Sequence, residues 1–363
     1  MELVVLDQNP IYWTNSTGQD TSIAAVQESV RLARDCEALG WDRYWIAEHH
    51  DRTSGCGSPE ILVSAIGAQT SRIRIGTAAV LLPHYTPLKV ATTFNLLERM
   101  YPGRIDLGIG RGPGGSPAAI SRLASVSVQS YGGKIAELLG YFHTDRDSVA
   151  ELESFPKSSV PQIFVNGSSA GGATAAAEYG LPFVFAQFAH KHPQPEFIEQ
   201  YRNSYHPGPG GRDPVVGLGM LITCIEDPEE AAHQRALLHW MNEARQNAGV
   251  IPDRDEARNL TGLPADDNLQ NLVGTPAEIE PRLAELLNMY RPDLLAVSTQ
   301  CPDYALRLRS YELVRDLVAD LTRSPEPRNR LFAGRAGFES ATDGEGIVSH
   351  AGASVSGCRA RRQ

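Results

Sequence analysis

Short apolar runs alternate with longer amphipathic stretches from the first residues to about position 321. That rhythm is expected of a parallel sheet wrapped in helices. It predicts strands over 3–7, 43–47, 74–81, 105–110, 162–166, 183–186, 216–223 and 294–298. In the first amphipathic stretch Ile23, Val26, Val30, Ala33 and Leu39 recur at helical spacing, with Glu28, Arg31, Arg34 and Asp35 between them, and Gly40 ends the run. Further helices are expected over 59–70, 87–100, 169–179, 228–248 and 304–321, several opening on proline, where a missing N–H does no harm. Eight strands with helical crossovers close most simply as a (β/α)8 TIM barrel, an α/β fold, although a doubly wound open sheet gives a similar linear pattern.

Two segments break the rhythm. Residues 242–271 are polar and rich in Asp, Asn, Arg and Pro, and are expected to form a lid inserted before the eighth strand. Residues 324–363 are rich in Gly, Ser, Arg and Pro and are expected to be a disordered tail, leaving residues 1–323 as one barrel domain.

Composition narrows the function. The net charge of -10 disfavours phosphodiester backbones and anionic lipid, so neither nucleic acid nor membrane is expected as a partner. The five cysteines are scattered without a Cys-x-x-Cys pair, which argues against a disulfide framework and a zinc site and fits a reducing cytoplasm. The chain opens on the strand-like Leu3-Val4-Val5-Leu6, with no leader expected and no run long enough to span a bilayer.

Barrel active sites lie at the C-terminal strand ends, so chemistry should follow each strand closely. That selects Ala47-Glu48-His49-His50, Leu82-Pro83-His84-Tyr85, Gly110-Arg111-Gly112, Asn166-Gly167-Ser168-Ser169 and Ser298-Thr299-Gln300. Arg111 offers a forked cation, and Ser168 and Ser169 open a helix whose free N–H groups suit a phosphate. Simple N-capping is the alternative for the serines, an ion pair for Arg111, and a packed core position for His49.

These runs resemble the bacterial luciferase-like flavin monooxygenases over roughly residues 3–321. The match is carried by Glu48-His49-His50, the run from Gly76 to Pro83, Asn95 to Met100, Pro102-Gly103-Arg104 and Gly108 to Gly112, in one order and spacing. Leu6-Asp7-Gln8 and the run from Arg307 to Glu312 are closer to single-chain, non-luminescent members often associated with secondary metabolism. The resemblance implies reduced FMN from a separate flavin reductase, and O2 activated as a C4a-peroxyflavin that oxygenates a small organic substrate by hydroxylation or Baeyer–Villiger insertion. It further implies a homodimer. His49 is the residue implied beside the flavin-oxygen intermediate, with Glu48 and His50 as catalytic or orienting partners. Ala78, Ala79, Gly110, Arg111, Ser168 and Ser169 are assigned to the cofactor, with a cis peptide expected between Ala78 and Ala79; Gln8, His84 and Tyr85 are assigned to the substrate pocket. Gly110 stands where the luciferase α subunit has cysteine, and Gly172 where it has threonine, so light emission is not implied. Three alternatives remain at this point: a deazaflavin F420 oxidoreductase, a non-catalytic flavin-binding homologue, and a metallohydrolase built on Glu48, His49, His50 and His84.

Overall fold

Strand β1 (Glu2–Asp7) is buried along nearly its whole length, as a strand must be when helices cover one face and a packed barrel interior the other. In the computed structural model, which describes residues 1–12, 22–123, 130–143, 160–208, 212–248 and 271–323, β1 pairs in parallel with β2 (Arg43–Ile46) and with β9 (Leu294–Ser298). The circuit continues through β3 (Arg74–Leu81), β4 (Ile105–Gly110), β5 (Gln162–Gly167), β6 (Phe183–Ala186) and β7 (Val216–Cys224), and β7 returns to β9. Eight parallel strands therefore close into a barrel, and the open-sheet alternative is excluded.

The helices are α1 (Ser22–Leu39), α2 (Pro59–Gly67), α3 (Pro87–Met100), α4 (Pro117–Leu123), α5 (Tyr131–His143), α6 (Ala170–Glu178), α7 (Pro195–Asn203), α8 (Pro228–Ala248), α9 (Pro276–Tyr290) and α10 (Tyr304–Thr322). Their starts follow local chemistry. Thr86 caps α3 ahead of Pro87, and Thr275 and Glu278 form a reciprocal capping box ahead of α9. Helices α4, α5, α7 and α9 were not among those the apolar spacing predicted.

Helix α8 runs through Ala248, as its expected range 228–248 requires, so it takes the first residues of the expected excursion over 242–271; at the other end Asn271 opens an extra strand that was not expected, β8 (Asn271–Gly274). This strand pairs with the C-terminal part of β7, from Leu221 to Cys224, taking over from β9 at Leu221. Four residues after a polar run carry too little alternation to be read as a strand. The rest of that excursion, 249–270, and the expected tail lie outside the described residues.

Below the site the barrel is filled by charge. Arg43, fully buried, reaches Asp106 at 2.8 Å and Glu2 at 2.8 Å, and Arg74 reaches Asp106 at 2.6 Å. Burial pushes the Asp106 carboxyl up, but Arg43 and Arg74 outweigh it and hold the group below its ordinary range. Trp45 Nε1 donates to the same carboxylate at 2.8 Å. Removing one partner would strand a charge in a dry interior, so this layer fixes the inner ends of β2, β3 and β4.

Candidate active site

The C-terminal strand ends surround a cavity of about 480 Å3, well within the roughly 300–1,000 Å3 usual for small-molecule sites. Trp45 forms its floor, tilted on Phe164 with ring centroids 4.9 Å apart. Because the indole N–H is bonded to Asp106 beneath, the floor offers the cavity a carbon surface.

Toward β4 and β5 the lining becomes polar. Arg111 follows β4, and Ser169 is the N-cap of α6 but makes no capping bond with its own side chain. The hydroxyl is thus free of the role that would have explained it structurally. A Cβ at Gly171 would stand 3.0 Å from Arg111 Nη1, so the guanidinium lies directly against the first turn of α6, where N–H groups have no helical partners. Tyr131, on α5, lines the same end; its buried hydroxyl has no hydrogen-bond partner, and burial raises its pKa against the opposing pull of Arg111. Asn166 Oδ1 is likewise buried, unpartnered and on the cavity wall. Behind the turn, His190 Nε2 meets the Ser168 carbonyl at 2.6 Å, with its ring stacked on Phe185.

On the β2 and β3 side stand His49 and the Ala78–Ala79 step, whose peptide bond is cis. A Cβ at Gly110 would come within 3.1 Å of the Ala79 Cβ, so the absence of a side chain at Gly110 keeps this wall open. His49 is half-buried and faces the cavity, its backbone N–H bonded to the Cys56 carbonyl at 3.0 Å. Desolvation lowers its pKa, and the nearby charges of Asp51 and Glu48 do not restore it. The imidazole is therefore neutral at neutral pH and able to accept a proton.

Glu48 touches the cavity, but its carboxylate is committed elsewhere. Oε1 faces His50 Nε2 at 2.7 Å and accepts from the Tyr85 hydroxyl at 2.8 Å, while Oε2 accepts from the Leu81 N–H at 2.9 Å. It ties the end of β2 to the end of β3. His50 and Tyr85 stand behind the cavity wall on this carboxylate, and His84 stands with them, edge-on to His50 and 3.3 Å from the Pro113 carbonyl. Gln8 does line the cavity, as expected for a pocket residue. Sequence reasoning missed Tyr131, Trp45 and His190. Among the described residues no three His, Cys, Asp or Glu side chains converge as a metal-binding group, and no helix is long and apolar enough to cross a membrane.

A closed barrel with one polar-ended cleft at the C-terminal strand ends defines a (β/α)8-barrel enzyme. Residues 1–290 match the sequence profile of the luciferase-like monooxygenases, and the chain belongs to that family, an oxidoreductase of the monooxygenase class. It is 34% identical over 339 residues to the uncharacterized protein YwcH of Bacillus subtilis, covering 88% of this chain and 100% of that one. The crystal structure of apo-MsnO8 superposes with a TM-score of 0.78 at 30% identity, over 88% of this chain and 98% of that chain. The fold alone is shared with the oxygenating constituent of 3,6-diketocamphane monooxygenase from Pseudomonas putida, in complex with FMN, at 21% identity and TM-score 0.64 over 88% of this chain and 98% of that one. It is shared too with an F420-dependent secondary alcohol dehydrogenase, at 15% identity and TM-score 0.57 over 87% of this chain and 98% of that one.

Proposed function

We propose that the chain is the oxygenase of a two-component flavin system, taking reduced FMN from a separate reductase and using O2 to oxygenate a small organic substrate. The observation that carries this reading is the polar end of the cavity. Arg111, the uncommitted Ser169 hydroxyl, Ser168 and the first turn of α6 offer charge and donors to a phosphate, and the Tyr131 hydroxyl stands beside them without a partner. The orphaned Asn166 Oδ1 farther along the wall suits a ring N–H, and Ala78, Ala79 and Gly110 leave room for a flat ring. Reduced FMN, when bound, supplies the electrons that activate O2.

The protein's part is to hold, shield and time that chemistry. His49, neutral and facing the cavity, accepts or returns the proton at its imidazole, and Glu48 acts as a positioning residue that locks the wall bearing His49. A homodimer, measurable by light scattering, belongs to the same reading. The test combines the purified chain with a flavin reductase, NADH and FMN, and measures product and hydrogen peroxide. The chain alone should not reduce FMN with NADH, and should bind reduced FMN under anaerobic conditions. Tight F420 binding without reduced FMN binding would overturn the proposal.

A further inference from the structure

Among the described residues, the wall that leads away from the phosphate end carries no charge. From β6 round to β1 it is built of Val184, Ala186, Phe188, Gly219, Ala296 and Leu6, over the carbon surface of Trp45. Among the described residues, the charged or titratable side chains lining the cavity, tyrosine aside, are Glu48, His49 and Arg111. All three belong to the other half, and both Glu48 oxygens are already bonded. A carboxylate or sulfonate pressed against the uncharged half would lose its hydration with no opposite charge to replace it. A neutral carbon skeleton gains there instead.

One side chain makes this half more than a greasy slot. Gln8 lies just past β1, next to the strand end that bears His49 and on the edge of the apolar wall. Gln300, 8% exposed, donates its Nε2 to Gln8 Oε1 at 3.4 Å. That bond uses the acceptor end of the Gln8 amide and leaves its N–H donors for the cavity. Across the pocket, a Cβ at Gly219 would stand 3.2 Å from Phe188 Cε1, so the Phe188 ring closes onto this wall because residue 219 has no side chain.

We infer that the substrate is an uncharged, largely apolar molecule with one hydrogen-bond acceptor, such as a ketone carbonyl, its skeleton against Phe188 and Ala296 and its oxygen on the Gln8 amide. The inference rests on the FMN oxygenase reading. Reduced FMN binding to the full chain is therefore measured first, because its failure sinks that reading by itself. With reduced FMN bound and oxygen absent, isothermal titration then compares octanone, octanoate and octanesulfonate.

Octanone should bind at least about tenfold more tightly than either anion. Gln8→Leu should weaken octanone about tenfold, a single lost hydrogen bond, with reduced FMN affinity unchanged. Gly219→Val, which drives the Phe188 ring out of place, should also weaken octanone and spare the cofactor. An anion binding as tightly as octanone overturns the inference, and so does a chain that binds reduced FMN but no octanone. Equal octanone affinity in Gln8→Leu, or loss of reduced FMN binding in that variant, overturns the role of Gln8.

Discussion

Replacing Arg111 with alanine isolates the phosphate end of the cavity. The guanidinium lies against Gly171 on the first turn of α6, so it and the helix start are placed to hold one anion together. A charge-assisted hydrogen bond contributes about 1.5–3 kcal/mol. Arg111 is exposed, and solvent screening places it at the lower end of that range. At about 1.4 kcal/mol per factor of ten, reduced FMN should bind roughly tenfold more weakly in Arg111→Ala. The control is reduced riboflavin, which has the ring and ribityl chain but no phosphate. Its affinity should be the same in both proteins. Anaerobic titration by flavin fluorescence, at low and high salt, measures both ligands, and the difference for FMN should shrink as salt rises. If Arg111→Ala weakens riboflavin as much as FMN, or weakens neither, the phosphate does not lie at α6.

His49→Ala should still bind reduced FMN but lose about 10²- to 10⁴-fold in product formation, with reducing equivalents appearing as hydrogen peroxide. Since the folded pKa of His49 is lowered, the neutral imidazole persists at and below the ordinary histidine value of about 6.5. Activity should therefore be flat above that pH and fall only on further acidification; the stability contributed by burying the neutral ring is lost over the same descending range, as denaturant midpoints against pH will show. His190→Ala removes the hydrogen bond behind Ser168 and should weaken reduced FMN about threefold to tenfold while leaving octanone affinity intact, measured by the same titrations. Glu48→Ala orphans the buried Leu81 N–H and releases Tyr85 and His50, so it should cost about 3 kcal/mol or more in chemical denaturation; a loss below about 1 kcal/mol would refute the anchoring role.

The barrel was legible because its strands, buried on both faces, appear as apolar runs with helical spacing between them, and all eight expected strands begin at the residue predicted or within one of it. What the pattern lost was in part short, although α5 and α9, 13 and 15 residues long, were lost as well. β8 has four residues, and α4 and α7 are seven and nine residues long, too few turns for a periodic signal. The lining of the candidate cavity was legible where a residue sits directly after a strand, as for His49, Arg111, Ser168 and Gln8. It was not legible where a side chain arrives from elsewhere. Tyr131 enters the cavity from α5 and His190 reaches Ser168 across 22 positions, and nothing local in either sequence marks the contact. Residue type also misled about place. His50, His84 and Tyr85 stand in the same strand-end runs as His49, yet a single buried carboxylate, Glu48, gathers His50 and Tyr85 behind the wall.

The charged layer under Trp45 has a consequence for traffic. With Arg43, Asp106 and Arg74 locked together and Trp45 tilted on Phe164 above them, the described side chains fill the barrel at its lower end. Among the described residues, the cleft opens at the C-terminal strand ends. On the proposed function, cofactor, substrate and O2 would all arrive from that open end, so a molecule nearer the mouth would govern the departure of one lodged deeper. Order of arrival would then follow from the plumbing of the barrel, and turnover would be paced by queueing as readily as by bond making.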